Sequence, residues 1–136
     1  MSLYLLDTNI VSDLVRHPRG LVRDRIQTVG EDRVATSVIV AAELRYGAAK
    51  KGSDRLTSQI DAILAALQVL AWDVPYDGVY GHLRAELERK GKVIGGNDLL
   101  IAAHAVALDA TLVTVNTGEF ARIPELRHEN WLSAGA

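Results

Sequence analysis

Cysteine is absent from the 136 residues of this chain. Its absence excludes a disulfide scaffold, a thiol nucleophile and a zinc ribbon, and it fits a reducing compartment. The chain also lacks an uncharged apolar run of the roughly 20 residues that a membrane span needs. Its N-terminus lacks the basic and apolar regions of a signal peptide. We therefore expect a cytoplasmic protein with no membrane partner.

The chain has neither an excess of charge nor many aromatic residues. The net charge is −2, whereas a protein that binds nucleic acid by electrostatic attraction alone is usually basic. Aromatic residues make up 5%, so Tyr46, Trp72, Tyr76 and Tyr80 are expected to pack within the fold rather than to stack on bases. Apolar residues make up 49% and charged residues 24%, which suits a single globular domain over residues 1–136.

Short apolar segments alternate with amphipathic segments along the chain. The apolar segments predict strands at residues 3–6, 33–36, 68–72, 111–115 and 126–131. Helical periodicity predicts helices at residues 8–16, 21–29, 38–50, 53–66, 77–90 and 97–108. Ser37, Ser53 and Asn97 stand at the helix starts, where their side chains are typical N-caps. The alternation predicts an α/β fold with a mostly parallel sheet.

Three acidic residues lie in apolar surroundings. Asp7 follows the first strand, Glu43 lies about two turns into the helix after the second strand, and Asp98 lies in the first turn of a nearly all-apolar helix. Because ligands of open parallel sheets bind beyond the carboxyl ends of the strands, these carboxylates can meet at one end of the sheet. Clustered carboxylates repel one another unless a cation neutralises them. Oxygen ligands favour Mg²⁺ or Mn²⁺, so the pattern indicates a metal site.

Each of the three acids also has a purely structural interpretation. Asp7 can cap the first helix, Glu43 can be a solvated helix residue, and Asp98 can interact with its helix dipole. The apolar neighbours of Glu43 disfavour full exposure. The joint arrangement is more specific than any one of the acids, and it favours the metal site.

The same residues carry a family resemblance. The segments concerned are LDTN at 6–9, AELRYGA at 42–48, NDLLIAAHA at 97–105, LVTVNTGEF at 112–120, and PELR at 124–127 followed by Asn130-Trp131. Over residues 3 to 132 the chain resembles the PIN-domain ribonucleases, and among them the VapC toxins of bacterial type II toxin–antitoxin systems. The Asp-Thr-Asn triplet alone is weak evidence, whereas the ordered set of segments is specific.

The resemblance implies a three-layer α/β/α sandwich and a magnesium-dependent endoribonuclease. Asp7, Glu43 and Asp98 carry over as catalytic residues and metal ligands, with Thr8 and Asn9 positioning the ligands or a phosphate. The implied substrate is an exposed loop of a structured RNA, a transfer RNA or a ribosomal RNA, whose cleavage arrests translation.

A fourth acid is common in this family near the end of the strand that matches residues 111–115. This chain has Asn116 at that place and Glu119 three residues later. Asn116 can orient a water but brings no charge, and Glu119 can substitute only if the turn brings it inward. The alternative for Glu119 is a solvated acid in the first turn of a helix.

The resemblance also implies two protein partners. A second copy of the chain would form a homodimer, and a small antitoxin of the VapB type would wrap the toxin and block its site. An apolar groove beside Val11, Leu14 and Val15, or along Leu56 and Ile60, is expected to receive an amphipathic antitoxin helix. An arginine of the antitoxin could pair with the acids.

Two other functions compete with this interpretation. A haloacid-dehalogenase-like phosphatase also begins with a strand that ends in Asp, but it needs an acid two residues later, where this chain has Asn9. A catalytically degenerate domain that only binds RNA or a protein partner is the non-enzymatic alternative. His104 lies within the apolar helix and is expected in the core or an interface.

Overall fold

The computed structural model describes residues 2–132; the predicted domain over residues 1–136 also contains Met1 and residues 133–136, which lie outside the described residues. Within that range the strands are β1 (Tyr4–Leu6), β2 (Val34–Ser37), β3 (Gln68–Leu70), β4 (Thr111–Val113) and β5 (Arg127–Glu129). The helices are α1 (Thr8–Arg16), α2 (Leu21–Val29), α3 (Val38–Lys51), α4 (Asp54–Ala66), α5 (Tyr76–Arg89), α6 (Gly96–Ala107) and the short α7 (Thr117–Phe120).

The sheet is parallel throughout, with the strand order β3-β2-β1-β4-β5. Leu5 and Leu6 of β1 point to opposite faces because side chains alternate along a strand, yet both are fully buried. Leu112 and Val113 of β4 repeat this pattern. Helices therefore cover both faces, and the predicted three-layer α/β/α sandwich is confirmed.

Helix capping follows the sequence closely around the second strand. The Ser37 hydroxyl accepts a hydrogen bond of 3.1 Å from the Ile39 N–H and starts α3, and Ser53 accepts one of 3.1 Å from the Leu56 N–H and starts α4. Gly52 ends α3 with a positive φ of 64°, a conformation that glycine adopts without steric cost. These caps hold the first residues of α3 directly behind the end of β2.

Several local predictions are wrong. The fourth strand, predicted for residues 111–115, ends at Val113, and the fifth, predicted for residues 126–131, spans Arg127–Glu129. Asn97 is not the cap of α6, because that helix begins at Gly96 and Asn97 is its exposed second residue. The third strand ends at Leu70 rather than at residue 72. The Trp72 indole N–H instead donates a hydrogen bond of 2.9 Å to the Leu100 carbonyl of α6. The chain therefore leaves the sheet early to pack Trp72 against that helix.

The expectation that the aromatic residues pack is confirmed for three of the four. Trp72 contacts the edges of Tyr76 and Tyr80, with ring centroids 6.1 and 6.4 Å apart. The expectation is wrong for Tyr46, whose exposed fraction is 66%.

His104 is fully buried on α6, as expected for a core residue. Its Nδ1 lies 2.9 Å from the Ser37 hydroxyl, and burial lowers the pKa of the imidazole. Among the described residues, no group is hydrogen-bonded to its Nε2. His104 is therefore a neutral packing residue beneath the start of α3.

None of the helices within residues 2–132 is both long and apolar enough to cross a lipid bilayer.

Candidate functional site

The predicted acids converge where the order of the strands reverses. The chain passes from β1 to β2 and β3 on one side, and then returns to place β4 on the other side of β1. Asp7 directly follows β1, and its N–H donates a hydrogen bond of 2.9 Å to the Val113 carbonyl of β4. Such a switch point leaves a crevice beyond the strand ends, where α/β proteins bind their ligands.

Asp7 is held by hydrogen bonds to both of its carboxylate oxygens. Oδ1 accepts the Thr8 N–H at 2.8 Å, and Oδ2 accepts the Thr114 hydroxyl at 2.7 Å. Only 2% of the residue is exposed. Burial raises the pKa of Asp7, the two hydrogen bonds oppose that rise, and the nearby charges of Glu43 and Glu119 add to it. The predicted capping role and the predicted site role thus fall on the same side chain.

Glu43 reaches the same place from α3. It is half-buried, and its Oε1 accepts a hydrogen bond of 2.8 Å from the Thr8 hydroxyl. Thr8 therefore links the carboxylates of Asp7 and Glu43, through its N–H and its hydroxyl respectively. This contact is compatible with the predicted role of Thr8 in positioning the ligands, which stays a prediction. Asn9 is exposed on α1 and makes none of the hydrogen bonds that hold the acids.

Asp98 and Glu119 approach the site together from α6 and α7. A Cβ atom added to Gly95 would lie 3.7 Å from Asp98 Oδ2 and 4.0 Å from Glu119 Oε1, so both carboxylates flank that glycine. Glu119 Oε1 also accepts the Gly95 N–H at 3.0 Å. The turn after β4 thus brings Glu119 inward, which is the condition for it to act as the fourth acid.

The electrostatics of the cluster are most visible at Asp98. Its pKa is raised from 3.8 to about 6. Burial contributes most, followed by the charges of Asp7, Glu119 and Glu43, and by a hydrogen bond with Glu119. An aspartate flanked by several carboxylates without a cation resists ionisation in this way. The carboxylates of Asp7, Glu43 and Glu119 therefore all lie close enough to Asp98 for their charges to raise its pKa.

Asn116 contacts this group of carboxylates indirectly, through its backbone. It is half-buried between β4 and α7, and its N–H donates a hydrogen bond of 3.0 Å to the Thr114 hydroxyl. That same hydroxyl donates to Asp7. Asn116 thus acts on the acids indirectly, by orienting Thr114.

Thr114 is the site residue that the sequence interpretation missed. Leu6 pairs with Val113 in the parallel register. Asp7 and Thr114, which directly follow these two residues, therefore also lie side by side. A threonine one residue past a buried strand was the available signal. Pairing it with Asp7 requires knowing that β4 lies beside β1, although 107 residues separate the two side chains along the chain.

The donor chemistry of the cluster fits a hard divalent cation, because every candidate ligand is a carboxylate oxygen. Burial raises the pKa values of Asp7 and Asp98 most, and the charges of the neighbouring carboxylates raise them further. Within residues 2–132, no three acidic or histidine side chains are already arranged as a closed metal cage. To bind an ion together, the carboxylates would have to turn toward one another. Their mutual repulsion opposes this movement, and the positive charge of the ion would relieve the repulsion.

Comparison with known proteins agrees with this architecture. The PIN domain family model matches residues 4–126. Ribonuclease VapC2 of Rickettsia felis is 45% identical and is matched over 95% of this chain and 98% of its own length. The tRNA(fMet)-specific endonuclease VapC of Shigella flexneri is 34% identical over 94% of this chain and 97% of its own.

A solved structure matches equally well. The crystal structure of VapBC2 from Rickettsia felis bound to a promoter DNA fragment contains a chain that superposes with a TM-score of 0.89 at 42% identity. The match covers 95% of this chain and 98% of that one. This chain therefore belongs to the PIN-domain family, in the branch that contains the VapC proteins.

Proposed function

We propose that this chain is a metal-dependent endoribonuclease and the toxin of a bacterial toxin–antitoxin pair. The observation that carries the proposal is the convergence of Asp7, Glu43, Asp98 and Glu119 at the switch point of a parallel sheet. The names of the relatives, a ribonuclease and a transfer-RNA endonuclease, support RNA as the substrate. A structured RNA with an exposed loop, transfer or ribosomal, is the proposed target, and its cleavage would arrest translation.

Asp7 and Asp98 would hold Mg²⁺, with Glu43 and Glu119 completing the ligands directly or through water; Mn²⁺ has the same ligand preference. A bound ion would supply positive charge for the scissile phosphate and lower the pKa of a water. The chain itself orients the carboxylates, since Thr114 fixes Asp7 and Thr8 fixes Glu43 Oε1. This arrangement leaves the second oxygen of Glu43 to orient the attacking water.

An antitoxin helix is the proposed occupant of a groove between α1, α3 and α4. The groove has a volume of about 270 Å³, and Val15, Leu44, Leu56 and Ile60 form its apolar walls. Val15 of the first predicted segment and Leu56 and Ile60 of the second line this groove, whereas Val11 and Leu14 do not. Glu43 lies at its edge, so a helix bound there would end beside the acids. The VapBC complex among the similar structures supports this partner. The proposed homodimer rests on the resemblance alone.

The decisive experiment uses the purified, partner-free chain and total cellular RNA. We expect cleavage at discrete loop positions with Mg²⁺ and none with EDTA. Asp7→Asn and Asp98→Asn should each lower the rate at least about 100-fold, because each removes a ligand rather than a supporting contact. Sequencing the cleaved ends identifies the target. Unchanged cleavage in either variant, with its circular dichroism spectrum intact, would rule out this site as the catalytic centre.

The degenerate, non-enzymatic alternative also has an observation in its favour, namely that the carboxylates among residues 2–132 do not form a preformed cage. It predicts RNA or antitoxin binding with no cleavage under any divalent metal. Magnesium-dependent cleavage of RNA by the purified, partner-free chain separates the two proposals, because a degenerate domain would bind without cleaving.

A further inference from the structure

Tyr46 differs from every other aromatic residue in the described part of the chain. Its exposed fraction is 66%, and it is the one aromatic side chain among the strongly exposed apolar residues of that part. Tyr4 packs against Trp131, with ring centroids 5.5 Å apart, and Trp72 packs against Tyr76 and Tyr80. A large aromatic ring left open to solvent is a common feature of surfaces that stack on flat ligands.

The ring of Tyr46 lines an open hollow of about 470 Å³. Ile39, Ala42 and Leu100 form its apolar walls, and Thr8, Glu43 and Asn97 are its polar members. Thr8 and Glu43 are the same residues that share the 2.8 Å hydrogen bond in the acid cluster. A group seated in this hollow is therefore an immediate neighbour of the carboxylates.

The chemistry of the hollow selects among possible occupants. A phosphate is disfavoured because Glu43 borders the hollow and the acids already repel one another. A neutral, flat group with polar edges fits better: the ring of Tyr46 offers a stacking face, and the amide of Asn97 can both donate and accept hydrogen bonds. Lys50 Nζ lies over one face of the ring, 6.0 Å from its centroid. A base would therefore stack on the face that Lys50 does not cover, and the ammonium can attract the phosphate backbone that carries the base.

We propose that this hollow is a nucleobase subsite. A base that has left the stack of an RNA loop lies against Tyr46, presents its polar edge to Asn97, and so places the adjacent phosphate at the acids. The inference rests on the proposed ribonuclease function and deepens it, because it assigns the selection of an unstacked nucleotide to particular residues. Stacking is tolerant of base identity, so Asn97 supplies the preference between bases.

The test compares Tyr46→Ala, Tyr46→Leu and Tyr46→Phe on an RNA hairpin that carries the mapped cleavage loop. We expect KM to rise by about 5- to 100-fold in the alanine variant, in line with the loss of one stacked base. Phenylalanine should restore KM and leucine should not, because only the ring stacks. Replacing the loop nucleotides one at a time with abasic residues should abolish the difference between wild type and Tyr46→Ala at one position only.

A second measurement is independent of cleavage. In the Asp98→Asn background, hairpins that copy transfer-RNA loops carry 2-aminopurine at each loop position in turn. At one position the fluorescence should fall on binding to the chain with Tyr46 and to the Tyr46→Phe variant, but not on binding to the Tyr46→Ala variant. Leu21→Ala is the matched control, since Leu21 is a comparably exposed apolar residue (58%) that does not line the hollow.

The outcomes separate the two proposals. If 2-aminopurine fluorescence is quenched only when residue 46 has an aromatic ring, but wild type does not cleave RNA, the nuclease proposal is refuted and the subsite proposal stands. Cleavage with an unchanged KM and unchanged quenching in Tyr46→Ala would overturn the subsite and keep the nuclease. A Tyr46→Ala variant whose mass by light scattering changes, with RNA parameters unaffected, would also overturn it and assign the hollow to contact with a second copy of the chain.

Discussion

At the scale of single residues, burial of carboxylates and their mutual repulsion make the charged form of Asp98 costly. Asp98 has a pKa of about 6 in the fold against an ordinary 3.8, so the fold favours its protonated form. The stability that this group contributes is present below pH 3.8 and is lost as the pH rises through about 6. The metal-free protein therefore carries an electrostatic penalty at neutral pH.

Asp98→Asn should remove that penalty. In EDTA at pH 7.5 we expect the variant to have a larger free energy of unfolding than wild type, and the gap should close as the pH falls below 4. Urea unfolding across this pH range provides the measurement. Glu125→Gln, which neutralises an exposed acid, is the control that should show no gap. A variant less stable than wild type at pH 7.5 would contradict the assigned cause.

Thr114→Val should show how much of the site depends on one buried hydroxyl. The substitution removes the donor to Asp7 Oδ2 and the acceptor of the Asn116 N–H. Leaving buried polar groups unpaired costs about 1–3 kcal/mol, which denaturant unfolding can measure. The pKa of Asp7 should rise further, so the acid limb of the cleavage profile should shift to higher pH. Thr114→Ser should restore both properties, and failure of that rescue would assign the defect to packing instead.

At the scale of secondary-structure elements, α3 borders the acid cluster and the proposed antitoxin groove, besides the hollow beside Tyr46. Its Glu43 faces the acids, while Leu44 and Ala48 line the groove shared with α1 and α4. A helix places residues three and four apart on one side and their neighbours on another, which is how a single element borders both the site and the proposed antitoxin groove.

Leu56→Glu should uncouple these two surfaces. Leu56 is a half-buried wall of the groove on α4, so a charge there should weaken antitoxin binding by at least about tenfold, or 1.4 kcal/mol, and leave RNA cleavage unchanged. Inhibition by a purified antitoxin of the VapB type, titrated against cleavage, gives the measurement. Gln59→Glu introduces the same charge at an exposed position of the same helix and should have no effect. Equal inhibition of both variants would place the antitoxin elsewhere.

At the scale of the whole molecule, stability responds to pH in two opposing ways. The clustered acids make the fold more stable at low pH. His104, which is buried with a lowered pKa, makes it less stable at low pH. The stability from its neutral imidazole is present above pH 6.5 and is lost as the pH falls through its lower folded value. Metal-free wild type should consequently be most stable in a narrow range of mildly acidic pH.

Mg²⁺ should move that optimum toward neutral pH. An ion that binds only the folded state stabilises it by about 2.7 kcal/mol at 100 times its Kd, and protons compete for the same carboxylates. We expect Mg²⁺ to raise Tm at pH 7.5 and to have little effect at pH 5, measured by scanning calorimetry. The Asp7→Asn, Asp98→Asn double variant is the control that should not respond. An equal rise in Tm at both pH values would indicate nonspecific ion binding.

The sequence by itself determined most of the elements and three of the four acids. Helix boundaries at Ser37, Gly52 and Ser53 follow from local capping, which depends only on neighbouring residues. The sequence singles out Asp7, Glu43 and Asp98, because burying a charge among apolar residues costs free energy unless a partner or an ion compensates it. The tight alternation of strand and helix sufficed for the α/β class, because parallel strands require a crossover between them.

Only the tertiary structure decided which distant residues complete the site. Glu119 has no apolar surroundings to mark it, and it joins the acids because the turn after β4 points it at Gly95, 24 residues away. Thr114 reaches Asp7 because β4 lies beside β1. Tyr46 is exposed because its position on α3 faces an open hollow rather than the core. Each of these contacts depends on strand order and helix orientation, which local sequence patterns do not encode.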